Sequence, residues 1–212
     1  MFPFVITTIL LALCRAVALA ESNAAPEGEA KTNRWSYSAS LYTYIVPDGR
    51  DYSQPTISAA RGGLHLEARY NYEALDTASV WLGYNYSGGE KLTWEFTPML
   101  GGAFGDVAGL APGYKGSLAW WKLEFYSEGE YFIDTGDRSG NFFYNWSELT
   151  LAPTDWLRFG AVAQRTRAYQ SDRDIQRGLL LGFSYHKINL TGYVFNPDEG
   201  KPIWVFAISA SF

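Results

Sequence analysis

Cysteine is almost missing from the 212 residues: Cys14 is the only one, so neither a disulfide framework nor a Cys/His metal cluster can be built. Histidine and methionine are also scarce, at two residues each. No apolar run approaches the roughly 18 residues that a membrane helix requires. The formal charge is −5 and no basic cluster interrupts it, which excludes a nucleic-acid partner. No motif for a cofactor or a metal is present. What is abundant is aromatic: 15 Tyr, 13 Phe and 8 Trp make 17% of the chain, beside 21 Gly. Many Tyr, Trp and Gly fit a β protein with belts of interfacial aromatic residues.

Three stretches divide the chain. Phe4 to Cys14 is apolar and leads to Ala18-Leu19-Ala20, whose small residues at −3 and −1 mark an export-signal cut after Ala20, although Met1 to Thr8 carries no basic residue. Residues 1–20 therefore read as a signal peptide and 21–33, rich in Ala, Glu and Asn, as a disordered leader. Residues 34–212 read as one domain of alternating segments separated by turn residues. About ten segments are expected: Trp35–Val46, Thr56–Tyr70, Ala78–Tyr86, Leu92–Leu100, Ser117–Ile133, Phe142–Leu151, Trp156–Tyr169, Leu179–Tyr185, Ile188–Phe195 and Ile203–Phe212. Eight or twelve strands stay open.

The last ten residues show the pattern most clearly. Trp204, Phe206, Ile208, Ala210 and Phe212 share one face, and Val205, Ala207, Ser209 and Ser211 share the other. A greasy face ending on Phe212 suits lipid outside and a small-residue face suits a barrel interior. This ending resembles the C-terminal assembly signal of bacterial outer-membrane β-barrels. The resemblance implies an all-β, antiparallel, transmembrane up-and-down barrel in the outer membrane, in contact with its lipid. It further implies that the barrel assembly machinery recognises the Phe212 strand. A soluble sandwich or lipocalin-like barrel explains the alternation but not charged residues opposite Trp, Leu and Phe throughout.

An even strand count places both termini at the periplasmic rim. With ten strands, Pro47–Gln54, Ser87–Glu90, Asp134–Gly140, Gln170–Asp174 and Asn196–Lys201 lie outside. Trp35, Tyr70, Trp156 and Phe212 then form the lower aromatic belt, and Tyr84, Tyr86, Trp94, Tyr169 and Trp204 the upper one. The inward face carries His65, Glu67, Arg69, Glu95, Lys122, Glu124, Glu148 and Arg158. A turn centred on Pro153 sets Glu148 opposite Arg158, and Gly83, opposite Glu95, leaves room for His65. Such mixed charges fill a narrow lumen and fix register. The Gly-rich stretch Gly101–Gly116, with Gly101, Gly102, Gly105, Gly109, Gly113 and Gly116, is compatible with a plug in the lower mouth, an extra hairpin giving twelve strands, or a long loop.

Catalysis finds little support. His186 lies at the periplasmic end, away from His65, and Ser184 two residues before it is a frequent chance pairing. The rim acids Asp134, Asp137, Asp172 and Asp174 have no His nearby, so the site of omptin-type proteases has no match. The expected function is a non-enzymatic outer-membrane barrel with a structural or surface-interaction role. A narrow channel for small solutes is the alternative, and an enzyme acting on lipid A or peptides the second alternative. The oligomeric state and the solute are not legible.

Overall fold

Strands that alternate greasy and polar residues need every backbone N–H and C=O paired before they can sit in lipid, and a closed ladder is the only sheet that provides this. A computed structural model, which describes residues 34–136, 140–165 and 175–212, shows such closure. The strands are β1 (Ser36–Ile45), β2 (Tyr52–Arg61), β3 (Leu64–Tyr70), β4 (Thr77–Tyr84), β5 (Tyr86–Gly88), β6 (Leu92–Gly105) and β7 (Gly109–Trp120). They continue with β8 (Leu123–Asp134), β9 (Phe142–Thr154), β10 (Leu157–Arg165), β11 (Ile175–Tyr185), β12 (Ile188–Phe195) and β13 (Ile203–Ser211). Consecutive strands pair antiparallel except β4 and β5, which both pair with β6, and β1 pairs with β13. The short β5 continues β4 past Asn85 along the same partner, β6, so the barrel has twelve staves.

Twelve rather than about ten follows from two added hairpins, and the Gly-rich stretch lengthens the strands beside one of them. The stretch 56–70 is broken at Gly62-Gly63, where Gly62 adopts φ 59°. The stretch 117–133 is broken at Trp121-Lys122, with Trp121 at φ 56°. Gly101–Gly116 is neither plug nor loop: it forms the facing halves of β6 and β7, paired from Leu92↔Trp120 to Ala103↔Gly109. Its glycines have a packing reason. A Cβ on Gly101 would lie 2.4 Å from the Trp81 indole, and one on Gly113 3.0 Å from it. The backbone of β6 and β7 thus yields the space that the largest inward side chain of β4 fills.

The rims differ. At the rim that carries both termini the connections are two or three residues long, at 62–63, 89–91, 121–122, 155–156 and 186–187. At the other rim, 46–51, 71–76 and 196–202 are longer. Short periplasmic turns and longer outer loops are the habit of outer-membrane barrels, so the termini lie on the periplasmic side. This reverses part of the expected belts. Ser87–Glu90, Tyr84, Tyr86 and Trp94 belong to the periplasmic rim and Tyr70 to the outer rim, because two added hairpins invert the direction of the intervening strands. Trp35, Trp156 and Phe212 lie at the periplasmic rim and Trp204 at the outer one. Tyr169, the loop 170–174, and the leader and signal segments lie outside the described residues.

Large apolar side chains are exposed on every strand: Leu41, Ile57, Leu66, Val80, Leu100, Leu110, Phe125, Leu149, Phe159, Leu179, Leu190 and Phe206 among them. A continuous apolar outer face is a lipid face. The core lies inside the barrel, in two apolar clusters. One joins Tyr44, Tyr52, Tyr144, Trp146, Val162, Leu180, Tyr193, Phe195, Val205 and Ala207. The other joins Trp81, Met99, Ala103, Ala111 and Phe132, and Phe142 packs against both.

Candidate functional site

Inward residues become more buried from the periplasmic rim towards the outer rim. On β8, Glu124 is exposed, Tyr126 and Glu128 are half-buried, and Glu130 and Phe132 are buried. On β13 the sequence runs from exposed Ser211 through half-buried Ser209 to buried Val205. On β1, Ser38 and Ser40 are half-buried and Tyr44 is buried. The lumen is thus a chamber on the periplasmic side and a packed interior on the outer side. The chamber has a volume of about 270 Å³, with Ser40, Thr56, Glu124, Thr150 and Arg158 among its lining residues, and Tyr44, Gln54, Tyr72 and Tyr144 at its deeper end.

The segment 71–76 closes that end by folding inward. Its base is pinned from both sides. Asn71 Nδ2 donates to the Ser53 carbonyl at 2.9 Å, Gln54 Nε2 donates to the Asn71 carbonyl at 2.8 Å, and the Asp76 amide donates to Asn71 Oδ1 at 2.8 Å. Asn71 and Asp76 take φ of 58° and 53°, the left-handed conformation that Asn and Asp tolerate best. Between these posts Tyr72, Glu73 and Leu75 enter the lumen. Tyr72 meets the Tyr144 ring edge-on at 5.1 Å, and Leu75 packs against the larger apolar cluster. Glu73 is 1% exposed and accepts from Ser79 Oγ at 2.6 Å and Trp81 Nε1 at 3.3 Å.

Two ionic networks line the wall. In the first, Arg69 lies between two rings, 4.1 Å from the Tyr72 centroid and 4.3 Å from that of Trp81. Its guanidinium pairs with Glu67 on the same strand and, at 3.0 Å, with Glu130 on β8. Lys115 Nζ on β7 reaches Glu67 at 2.5 Å and Glu128 at 3.8 Å, and His65 Nε2 is 3.1 Å from Glu67. Glu128 also accepts from the Tyr72 and Tyr126 hydroxyls, at 2.5 and 2.6 Å. In the second network Glu148 accepts from Trp146 Nε1 and the Tyr193 hydroxyl, each at 2.9 Å, and pairs with Arg158 at 3.2 Å. Arg158 also donates to Thr191 at 3.0 Å. Charges held in this environment need such partners, since an uncompensated one is costly.

The sequence-derived positions fall unevenly on this wall. His65, Glu67, Arg69, Glu148 and Arg158 face the lumen within the two networks, and Glu124 faces the periplasmic mouth. Lys122 does not: it sits in the periplasmic turn and donates to the Pro153 carbonyl at 2.6 Å, because β7 ends at Trp120 and the turn removes Lys122 from the inward row. Glu95 has inward parity but is exposed, and Gly83 pairs with Met99, not with Glu95. The Glu148–Arg158 pair forms without direct opposition. The turn is Asp155-Trp156, Glu148 faces Val162, and a register shift between Leu157 and Phe159 lets the long Arg158 side chain reach across. Ser184 donates to Asn189 at 2.6 Å, and the His186 ring packs on Tyr185, so Ser184 and His186 do not pair. Sequence reasoning missed Tyr72, Glu73, Lys115, Glu128 and Glu130. The last two were legible, as they continue the alternation that starts at Glu124.

A closed antiparallel barrel with a lipid-facing apolar surface, short turns at the rim of its termini and a charged interior is a bacterial outer-membrane β-barrel. Neither a protein-family model nor a curated protein matches the sequence. Solved structures match the fold. The KdgM porin superposes with a TM-score of 0.61 at 13% identity, covering 82% of this chain and 99% of its own. The KdgM porin in complex with disordered oligogalacturonate gives 0.60 at 13% identity, with the same coverage. OpdQ of Pseudomonas aeruginosa gives 0.44 at 10% identity, over 80% of this chain and 59% of its own.

Proposed function

We propose that this barrel is a narrow channel for small solutes, closed on its outer side by the inward segment 71–76. The observation that carries this reading is the chamber of about 270 Å³, lined by charged, hydroxyl and aromatic side chains and continuous with the periplasmic mouth. A barrel that served only as a scaffold would gain from packing this space, as it does around Phe132 and Phe195, both 0% exposed. The fold shared with the KdgM porin over 99% of that chain supports a channel as well. The ion pairs lie along the wall, the outer half is packed by the two apolar clusters, and the periplasmic half holds space.

The inward segment is held by a handful of hydrogen bonds and ring contacts, without a covalent tie. Such elements open and close on the microsecond to second scale. Protein refolded in detergent and added to planar bilayers is expected to give discrete, small conductance steps with long closed intervals. Well-folded protein that inserts and never conducts contradicts a channel.

A further inference from the structure

The chamber carries more negative than positive charge, and its positive charge is already spent. Among its lining residues, the carboxylates Glu67, Glu124, Glu128 and Glu148 outnumber Lys115 and Arg158. Lys115 is committed to Glu67 and Glu128, and Arg158 to Glu148 and Thr191. The Glu124 carboxylate at the mouth has no hydrogen-bond or ion-pair partner among the described residues, and only its backbone carbonyl is engaged, by Thr150. Strand β8 sets Glu124, Glu128 and Glu130 on its inward row, from the mouth to the closed end. At that end Glu130 and Glu73, 3% and 1% exposed, each bury a carboxylate oxygen, Glu130 Oε1 and Glu73 Oε2, that has no hydrogen-bond partner. These two carboxyls lie behind the closed end and do not line the chamber, so a solute meets Glu124 and Glu128 instead. The remaining wall is aromatic, with Tyr42, Tyr126 and Trp146 among the chamber residues. Aromatic faces beside the unpaired Glu124 and beside carboxylates in excess of their cations attract cations with an apolar body, which lose little on leaving water.

We propose that the solute of this chamber is a small organic cation, an alkylammonium or an amine-bearing metabolite. It enters past Glu124 and is held between Glu128 and the aromatic wall. The proposal rests on the channel reading for transport but not for binding. It separates this barrel from a carrier of oligogalacturonate, the molecule bound in the KdgM porin complex. That molecule bears a carboxylate on each sugar and would meet Glu124 and Glu128 with like charge.

Two measurements on the detergent-refolded full barrel test it. The first is calorimetric titration with choline chloride and, separately, with sodium galacturonate. Choline is expected to bind and galacturonate not. Glu124→Gln, at an exposed site that leaves folding intact, is expected to weaken choline several-fold, and Glu124→Gln with Glu128→Gln about tenfold or more. Galacturonate binding in place of choline, no binding of either, or binding indifferent to both substitutions overturns the proposal. The second is the reversal potential in a KCl gradient across a planar bilayer, expected to have the sign of cation selectivity and to fall towards zero in the double variant. Anion selectivity overturns the proposal. Choline binding without any conductance rejects the channel reading alone, and conductance without choline binding rejects the organic-cation proposal alone.

Discussion

Replacing Arg69 by Met is expected to cost about 3–5 kcal/mol of folding stability, the range for removing one partner of a buried ion pair. Arg69 ties β3 directly to β8 across the lumen through Glu130, and it also pairs with Glu67 on its own strand. Without it Glu130 keeps no ion-pair partner among the described residues, and its Oε1 already lacks a hydrogen bond there. Glu67 retains Lys115 and His65 and so is only partly stranded. The substitution also removes the cation between Tyr72 and Trp81, and thereby one anchor of the inward segment. Arg69→Lys restores the charge but neither the flat stack nor the two-sided reach, so it should recover only part of the loss. Urea unfolding of micelle-refolded protein, followed by tryptophan fluorescence, measures both variants. A Met variant as stable as the parent would show that the cross-lumen tie contributes nothing.

The second large effect concerns the segment itself. Exchanging Tyr72–Leu75 for Gly-Ser-Gly-Ser, with Asn71 and Asp76 retained, is expected to raise unit conductance several-fold and shorten the closed intervals. Tyr72 and Leu75 touch the larger apolar cluster, and Glu73 is bonded to Trp81 of the smaller one. The segment therefore fills the space between the two clusters, and its removal leaves a gap that polar groups line. The β3–β4 ladder should survive, because its register from Leu64↔Tyr84 to Tyr70↔Ala78 does not involve the exchanged residues. Single-channel recording reads the result. Conductance and gating identical to the parent would place the constriction elsewhere.

Much of this architecture is written in period-two alternation. The pattern of Leu64, Leu66, Ala68 and Tyr70 against His65, Glu67 and Arg69 is enough to aim three network residues inward. The last strand does the same for Ser209 and Ser211. Alternation does not show where a strand stops, since a two-residue hairpin preserves the appearance of one long run. Arg61-Gly62-Gly63-Leu64 carried a readable turn signal in its paired glycines. Trp120-Trp121-Lys122-Leu123 carried none: Trp121 takes a left-handed conformation that costs roughly 1–2 kcal/mol for an ordinary residue, and the ladder on both sides imposes it. The glycines of β6 and β7 left plug, hairpin and loop all open because their purpose, room for Trp81, lies on the earlier strand β4. The inward turn of 71–76 was hidden for a similar reason. Its cause is tertiary: Tyr144, Glu128, Ser79 and Trp81 receive its side chains, and no local spacing in Asn71-Tyr-Glu-Ala-Leu-Asp76 announces them.

The most direct test is the side from which the lumen can be reached. Cys14 is the sole cysteine, so a Cys14→Ser background offers one thiol at a chosen site. Ser40→Cys places it in the chamber wall, and Asp198→Cys places a control in the outer loop 196–202. A maleimide carried on a large polymer and added to intact cells is expected to label the Asp198 variant and spare the Ser40 variant. The Ser40 variant should react once the reagent is admitted to the periplasm. Labelling of the Ser40 variant from outside intact cells, at the rate of the Asp198 control, would contradict a barrel open below and closed above.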